Sequence, residues 1–154
     1  MPNPGSPDPA AQLRSTQTVI AALALGVLVF AGVAAYRGPV TAALPPLVLG
    51  LDGFTLSAIV VSITTVPLSF FLPARMVEAE RGADAARRVL VFRTSRVVAG
   101  ALCEGAALLW CVSVLLSGNL WHLAPVALIV AAMLLHLPTR ESFQDATGER
   151  VPNA

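Results

Sequence analysis

Glu104 is the single formal charge in residues 97–117, a stretch of about twenty residues that are otherwise apolar, small or weakly polar. An ionisable group at that depth in hydrocarbon is costly. Three roles suit it: locking helix packing through hydrogen bonds, binding a proton or cation, or meeting a partner chain. Thr64 and Thr65 lie at a similar depth in the preceding apolar run and are its candidate hydrogen-bond partners. Spacings of three and four place Gly100, Ala101, Glu104, Ala107, Leu108 and Cys111 on one helical face. Small residues beside the carboxyl predict that this face meets another helix. Gly26, Gly100 and Gly105 are the expected points of close helix approach. Arg96 is eight residues away, about 12 Å along a helix, too far for a relaxed ion pair.

The remaining chemistry-bearing residues are sparse. His122 and His136 stand about 21 Å apart on one helix, which forbids a shared metal ion, and both are expected at the membrane interface. Cys103 and Cys111 are separated by about 12 Å within one run, beyond the reach of about 7 Å that a disulfide allows. They are expected to be small packing residues. The chain shows no Ser-His-Asp set, no glycine-rich phosphate loop and no metal-ligand spacing. It is therefore expected not to be an enzyme, and to carry neither cofactor nor metal.

What must position these residues follows from composition. Of 154 residues, 56% are hydrophobic and only 12% are charged, about half the charge of an ordinary soluble domain. The expected fold is all-α: an integral membrane four-helix bundle of two tandem transmembrane hairpins. Residues 1–17, with Pro2, Pro4, Pro7 and Pro9, read as a flexible tail. Hairpin 1 occupies 18–73, with spans at about 18–36 and 54–72, the second closed by Pro73. The apolar run of span 1 is longer than the signal-peptide core of about 7–15 residues, so it is expected to be retained despite Ala34-Ala35. The connection at 40–53, with Pro45-Pro46, reads as an apolar loop on the membrane surface. An arginine-rich loop follows at 74–96, where Gly82 is the expected break and Asp84 the cap of a helix running into span 3. Hairpin 2 occupies 97–138, with spans at about 97–117 and 120–137 joined by the turn Gly118-Asn119. Residues 139–154 read as a polar tail.

Arginine placement sets the orientation. Arg75, Arg81, Arg87, Arg88, Arg93 and Arg96 in the central loop, with Arg14, Arg140 and Arg150, fall on one side, and only Arg37 on the other. The positive-inside rule then makes both termini cytoplasmic. Trp121 is the expected interfacial anchor of span 4. The net charge of +1 argues against a nucleic-acid partner. The expected partners are the bilayer and either a second copy or another membrane protein.

Two sequence patterns add to this. Residues 22–26 (Ala-Leu-Ala-Leu-Gly) align with 101–105 (Ala-Leu-Cys-Glu-Gly), and Leu72-Pro73-Ala74-Arg75 with Leu137-Pro138-Thr139-Arg140. The chain thus reads as an internal repeat of two hairpins, with Leu25 opposite Glu104. The signature Ala101-Leu102-Cys103-Glu104-Gly105-Ala106, the turn Leu116-Ser117-Gly118-Asn119 and the ending Leu137-Pro138-Thr139 resemble an uncharacterised family of small four-span bacterial integral membrane proteins. That resemblance implies the four-span architecture, a bacterial cytoplasmic membrane and a role for Glu104-Gly105, but no activity. The leading expectation is a non-enzymatic structural or accessory membrane component; the alternative is a small proton-coupled transporter or channel using Glu104.

Overall fold

A computed structural model describes residues 8–39 and 52–148. Residues 40–51 of the expected surface loop at 40–53, and Arg150, lie outside the described residues. Helix α1, Pro9–Arg37, begins where Asp8 Oδ1 accepts the Ala10 N–H at 3.0 Å. Pro9 takes the first helical position, where its missing N–H costs nothing. The prolines were expected to hold off a helix until residue 18; instead the last of them starts it. The tail reading is corrected from residue 9 onward.

Helix α2, Gly53–Ala79, is capped by Asp52, whose Oδ1 accepts the Thr55 N–H at 2.8 Å. It passes through Pro67 and Pro73 rather than stopping at the latter. Pro73 is buried, and Val77 one turn on packs against a cluster at the end of the bundle. That packing holds the helix together past the lost backbone bond. Helix α3, Ala85–Ser117, starts as the sequence implies, with Asp84 Oδ1 accepting the Arg87 N–H at 2.7 Å. The arginine-rich loop at 74–96 is thus corrected to a short turn at 80–84 between two helix ends. At the far end of α3, Gly118 takes the left-handed conformation (φ 70°) and donates its N–H to Val114 O at 2.8 Å. A Cβ there would also meet Pro39 Cδ at 3.0 Å, so the expected turn needs glycine on two counts.

The fourth segment departs most from expectation. A 3₁₀ turn, Leu120–His122, leads into helix α4, Leu123–Leu135. Thirteen residues rise about 20 Å, short of a hydrocarbon core of about 30 Å. After a break at Pro138 the chain bends by 55° into helix α5, Arg140–Thr147, where a polar tail was expected. By length and composition α1, α2 and α3 can cross a bilayer, and the bent α4–α5 pair makes a fourth crossing at most. The two repeat ends also differ: Pro73 lies inside a helix while Pro138 lies in a break.

Helix α3 is the axis, contacted by α1, α2, α4 and α5. Half of its apolar window is buried, against 28% for α1 and 17% for α2. One core runs along it, with Cys103, Ala106, Ala107, Trp110 and Cys111 packed on Val27, Ala58, Ile129 and Met133. A second, smaller core of Leu13, Val89, Phe92 and Phe143 ties α1, α3 and α5 at the arginine-rich end. The outward surface is apolar too, with Leu25, Ile63, Phe71 and Leu128 all more than half exposed. Apolar faces on both sides of a helix mark an apolar surrounding.

Candidate functional site

Glu104 stands at the edge of the α3 packing surface rather than inside it. Cys103, Ala106 and Ala107 are buried, Glu104 is half-buried, and Ala101 and Gly105 are exposed. Of the expected face, only Gly100, Ala107 and Cys111 are buried. The sequence placed the carboxyl one step too far toward the core, because small residues flank it on both sides. Among the described residues no hydrogen bond reaches it. Thr64 donates to Val60 O and Val61 O at 3.0 and 2.9 Å, and Thr65 to Val61 O at 2.8 Å. Both expected partners are thus spent on their own helix. Of the three glycines, Gly100 does permit close approach, since a Cβ there would meet Leu23 Cδ1 at 3.3 Å. Gly26 and Gly105 have nothing within 4 Å of that position and are not packing points among the described residues.

Two polar clusters that the sequence did not assemble flank the dry core. Near Gly118, Thr55 Oγ1 donates to Asp52 Oδ2 at 2.8 Å and also lies 2.9 Å from Ser113 Oγ. Ser113 Oγ is in turn 2.9 Å from His122 Nδ1, and His122 Nε2 is 3.3 Å from Asn119 Nδ2. Proton placement follows from the ends. With the Thr55 hydroxyl given to the carboxylate, Ser113 must donate to Thr55 and His122 Nδ1–H to Ser113. This leaves Nε2 to accept from Asn119. The result is a one-way chain from Asn119 to Asp52 that crosses from the 3₁₀ turn through α3 to the cap of α2. It is not a nucleophilic triad: no carboxylate touches the ring, Ser113 donates away from it, and Ser113 is 1% exposed. The Trp110 ring meets the His122 ring edge at 5.4 Å, and its Nε1–H donates to Ser62 Oγ at 2.9 Å.

Near the other end, His136 is buried at 1% exposure, which corrects its expected interfacial place. Its Nε2 lies 3.0 Å from Ser69 Oγ, and its ring lies 4.3 Å from that of Phe70. Ser69 gives its proton to Val66 O at 2.7 Å, so the ring carries its hydrogen on Nε2. Cys103 donates to the same hydroxyl at 3.2 Å. Both cysteines are free and buried. His122 also departs from a plain interfacial role, being half-buried in the Asp52 chain, whereas Trp121 is 83% exposed. Among the described residues no three of His, Cys, Asp and Glu converge as metal ligands.

Several arginines are engaged within the chain. Arg93 reaches Gln12 Oε1 at 3.3 Å and Ser15 Oγ at 3.4 Å, tying α3 to α1. Arg87 pairs with Glu80 at 2.9 Å and Arg81 with Glu78 at 2.8 Å. Arg75 lies over the Phe71 ring and Arg96 over the Phe92 ring, at 5.0 and 5.2 Å. Arg140 opens α5 and is exposed. Arg88 Nε is buried without an acceptor among the described residues.

Comparison of the chain with protein-family models, with curated proteins and with solved structures gives no match.

Proposed function

We propose that this chain is a non-enzymatic, multi-pass component of a bacterial cytoplasmic membrane. It associates, through the open face of α3, with a second copy or another membrane-embedded chain. Glu104 carries the reading. It lies about 12 Å beyond Arg96 along the longest helix, half-buried, unbonded among the described residues and flanked by exposed Ala101 and Gly105. A carboxyl facing hydrocarbon is costly, whereas one facing a polar group on a neighbouring helix is satisfied, and small residues beside it let that helix come close. At the position the repeat places opposite, Leu25 is 61% exposed, the residue type that lipid favours. Both termini, on this reading, are cytoplasmic, and α4–α5 completes a fourth, shorter crossing.

The proton-coupled alternative needs a polar route past Glu104. At that level the core side of α3 is Ala106 and Ala107 within a packed apolar cluster, and Cys103, whose polar partners Ser69 and His136 are themselves at most 1% exposed. The hydrogen-bonded chain from Asn119 to Asp52 returns to the end it starts from.

The deciding experiment compares wild type with Glu104→Gln, Glu104→Leu and Gly105→Leu in nanodiscs and detergent. We expect association to survive Glu104→Gln and to weaken at least tenfold in both leucine variants, with the separated chain melting no lower. A Glu104→Leu chain that melts lower as a monomer would make the carboxyl an internal lock. Proton flux in liposomes that vanishes in Glu104→Gln would make it a transport residue.

A further inference from the structure

At the arginine-rich end an open groove of about 760 Å³ runs between the last turns of α2, the first half of α3, the end of α4 and α5. Its lining is divided. Phe70 and Leu135, 45% and 73% exposed, form an apolar wall toward the bundle's apolar girth, with buried His136 beside them. Arg88 and Arg96 stand on α3 two turns apart, with Phe92 between them at the same spacing of four, so all three share one strip of the helix. The third arginine of the lining, Arg81, is neutralised by Glu78, and Arg87 beside Arg88 is neutralised by Glu80. Neither Arg88 nor Arg96 has a carboxylate within ion-pair distance among the described residues.

Three observations point to an anion. Arg88 Nε is buried and has no acceptor among the described residues, a cost of roughly 1–3 kcal/mol for a polar group of this kind. Arg96 is half-buried, with the Phe92 ring under it and no oxygen partner among the described residues. His136, the buried ring of the lining, spends its Nε2 proton on Ser69 rather than on the groove. With the Arg81–Glu78 pair cancelled, the groove holds, among the described residues, two cations without a carboxylate partner, Arg88 and Arg96, against one exposed carboxylate, Asp145. Its surplus is one positive charge.

Position narrows the class of anion. Arg96 immediately precedes the apolar run at 97–117, so its guanidinium sits where hydrocarbon gives way to headgroups. Arg88 is about 12 Å further out along the axis. A phospholipid changes from chain to phosphate over the same interval. Guanidinium forks match phosphate oxygens two at a time. We propose that this groove holds one anionic phospholipid, its phosphate between Arg88 and Arg96 and an acyl chain along Phe70 and Leu135. A zwitterionic lipid would leave the surplus charge of the groove uncompensated. The proposal rests on the membrane reading but not on the contact at Glu104.

The test reconstitutes full-length protein into vesicles of equimolar dioleoyl phosphatidylglycerol and phosphatidylcholine. The lipid retained after detergent extraction is then counted by native mass spectrometry. Wild type should keep one phosphatidylglycerol in preference to phosphatidylcholine. Arg88→Gln and Arg96→Gln should each weaken retention about fivefold, and the double variant about 25-fold. Asp145→Asn, which only removes a repelling charge from an exposed position, should strengthen it, an outcome that misfolding cannot produce. Equal retention of both lipids, an unchanged double variant or weaker binding in Asp145→Asn would overturn the proposal. Displacement of the lipid by millimolar inorganic phosphate would do the same, by making the ligand a free phosphate. Protein that never enters the vesicles overturns the membrane reading itself, whereas protein that inserts without preference overturns the groove alone.

Discussion

Asp52 shows how much a single polar residue does in a chain so poor in them. Its carboxylate caps α2 and also ends the hydrogen-bonded chain that begins at Asn119. Burial acts against its ionisation, but hydrogen bonds from the Thr55 N–H and hydroxyl and the Phe54 N–H, with His122 nearby, hold its carboxyl below the usual 3.8. The folded state therefore binds the proton less readily than the unfolded state. The stability it contributes is complete above about pH 3.8 and is lost as pH falls through the lower folded value. Thermal melts between pH 2 and 7 should show this loss in wild type and not in Asp52→Asn. At pH 7, Asp52→Ala should cost about 1–2 kcal/mol, the loss of a helix cap plus a stranded Thr55 hydroxyl, and Asp52→Asn less, because its Oδ1 keeps the cap while its Nδ2 cannot accept from Thr55. None of this was legible beforehand. Asp52 falls in the connection that reads as a surface loop, and Ser113 and His122, joined to it through Thr55, are far along the chain.

At the scale of elements, α5 is the instructive case. Residues 140–147 contain one large apolar side chain, Phe143, so the segment reads as a polar tail. Yet Phe143 is fully buried and meets Phe92 edge to face at 5.5 Å. Thr139 caps the helix by accepting the Ser142 N–H while Ser142 returns a bond to the Thr139 N–H, and Gly148 ends it in the left-handed conformation. Those cap and stop residues were the available signal. Gln17 Nε2 donates to Pro138 O at 2.9 Å, holding the bend against α1. Phe143→Ala should lower stability by about 3–5 kcal/mol in a detergent melt and expose the segment beyond Leu137 to protease. A variant as resistant as wild type would show that α5 is not docked.

For the whole molecule, the question is which ends share a side. The smaller core brings the start of α1 together with α5, and the arginines of the described chain gather there, except Arg37. Single cysteines at Ala10, Arg37, Asn119 and Glu141, in a chain with Cys103 and Cys111 replaced by alanine, test the topology in intact cells. Arg37→Cys and Asn119→Cys should react with an impermeant maleimide. Ala10→Cys and Glu141→Cys should react only after permeabilisation. Labelling of Ala10→Cys and Asn119→Cys from the same side would mean that the chain does not run as successive crossings.

Run length, cap residues and charge placement marked four apolar segments, three of which form long helices, with Asp84 beginning α3, Gly118 ending it and arginine gathered at one end. These are local properties, set by the hydrocarbon thickness, by backbone groups at helix ends and by the residues within a turn of them. Only tertiary structure decided that Glu104 lies at an open edge, that Thr64 and Thr65 keep to their own helix, and that His136 sits buried against Ser69, 67 residues away. It also turned the residues that follow Pro138 into a docked helix. In a soluble helix the apolar stripe names the inward face. Here α1, α2 and α3 are apolar toward the core and also toward the surroundings, so periodicity cannot say which face is which. The choice falls to how small side chains such as Gly100 and Ala107 let helices close, and that is settled by packing.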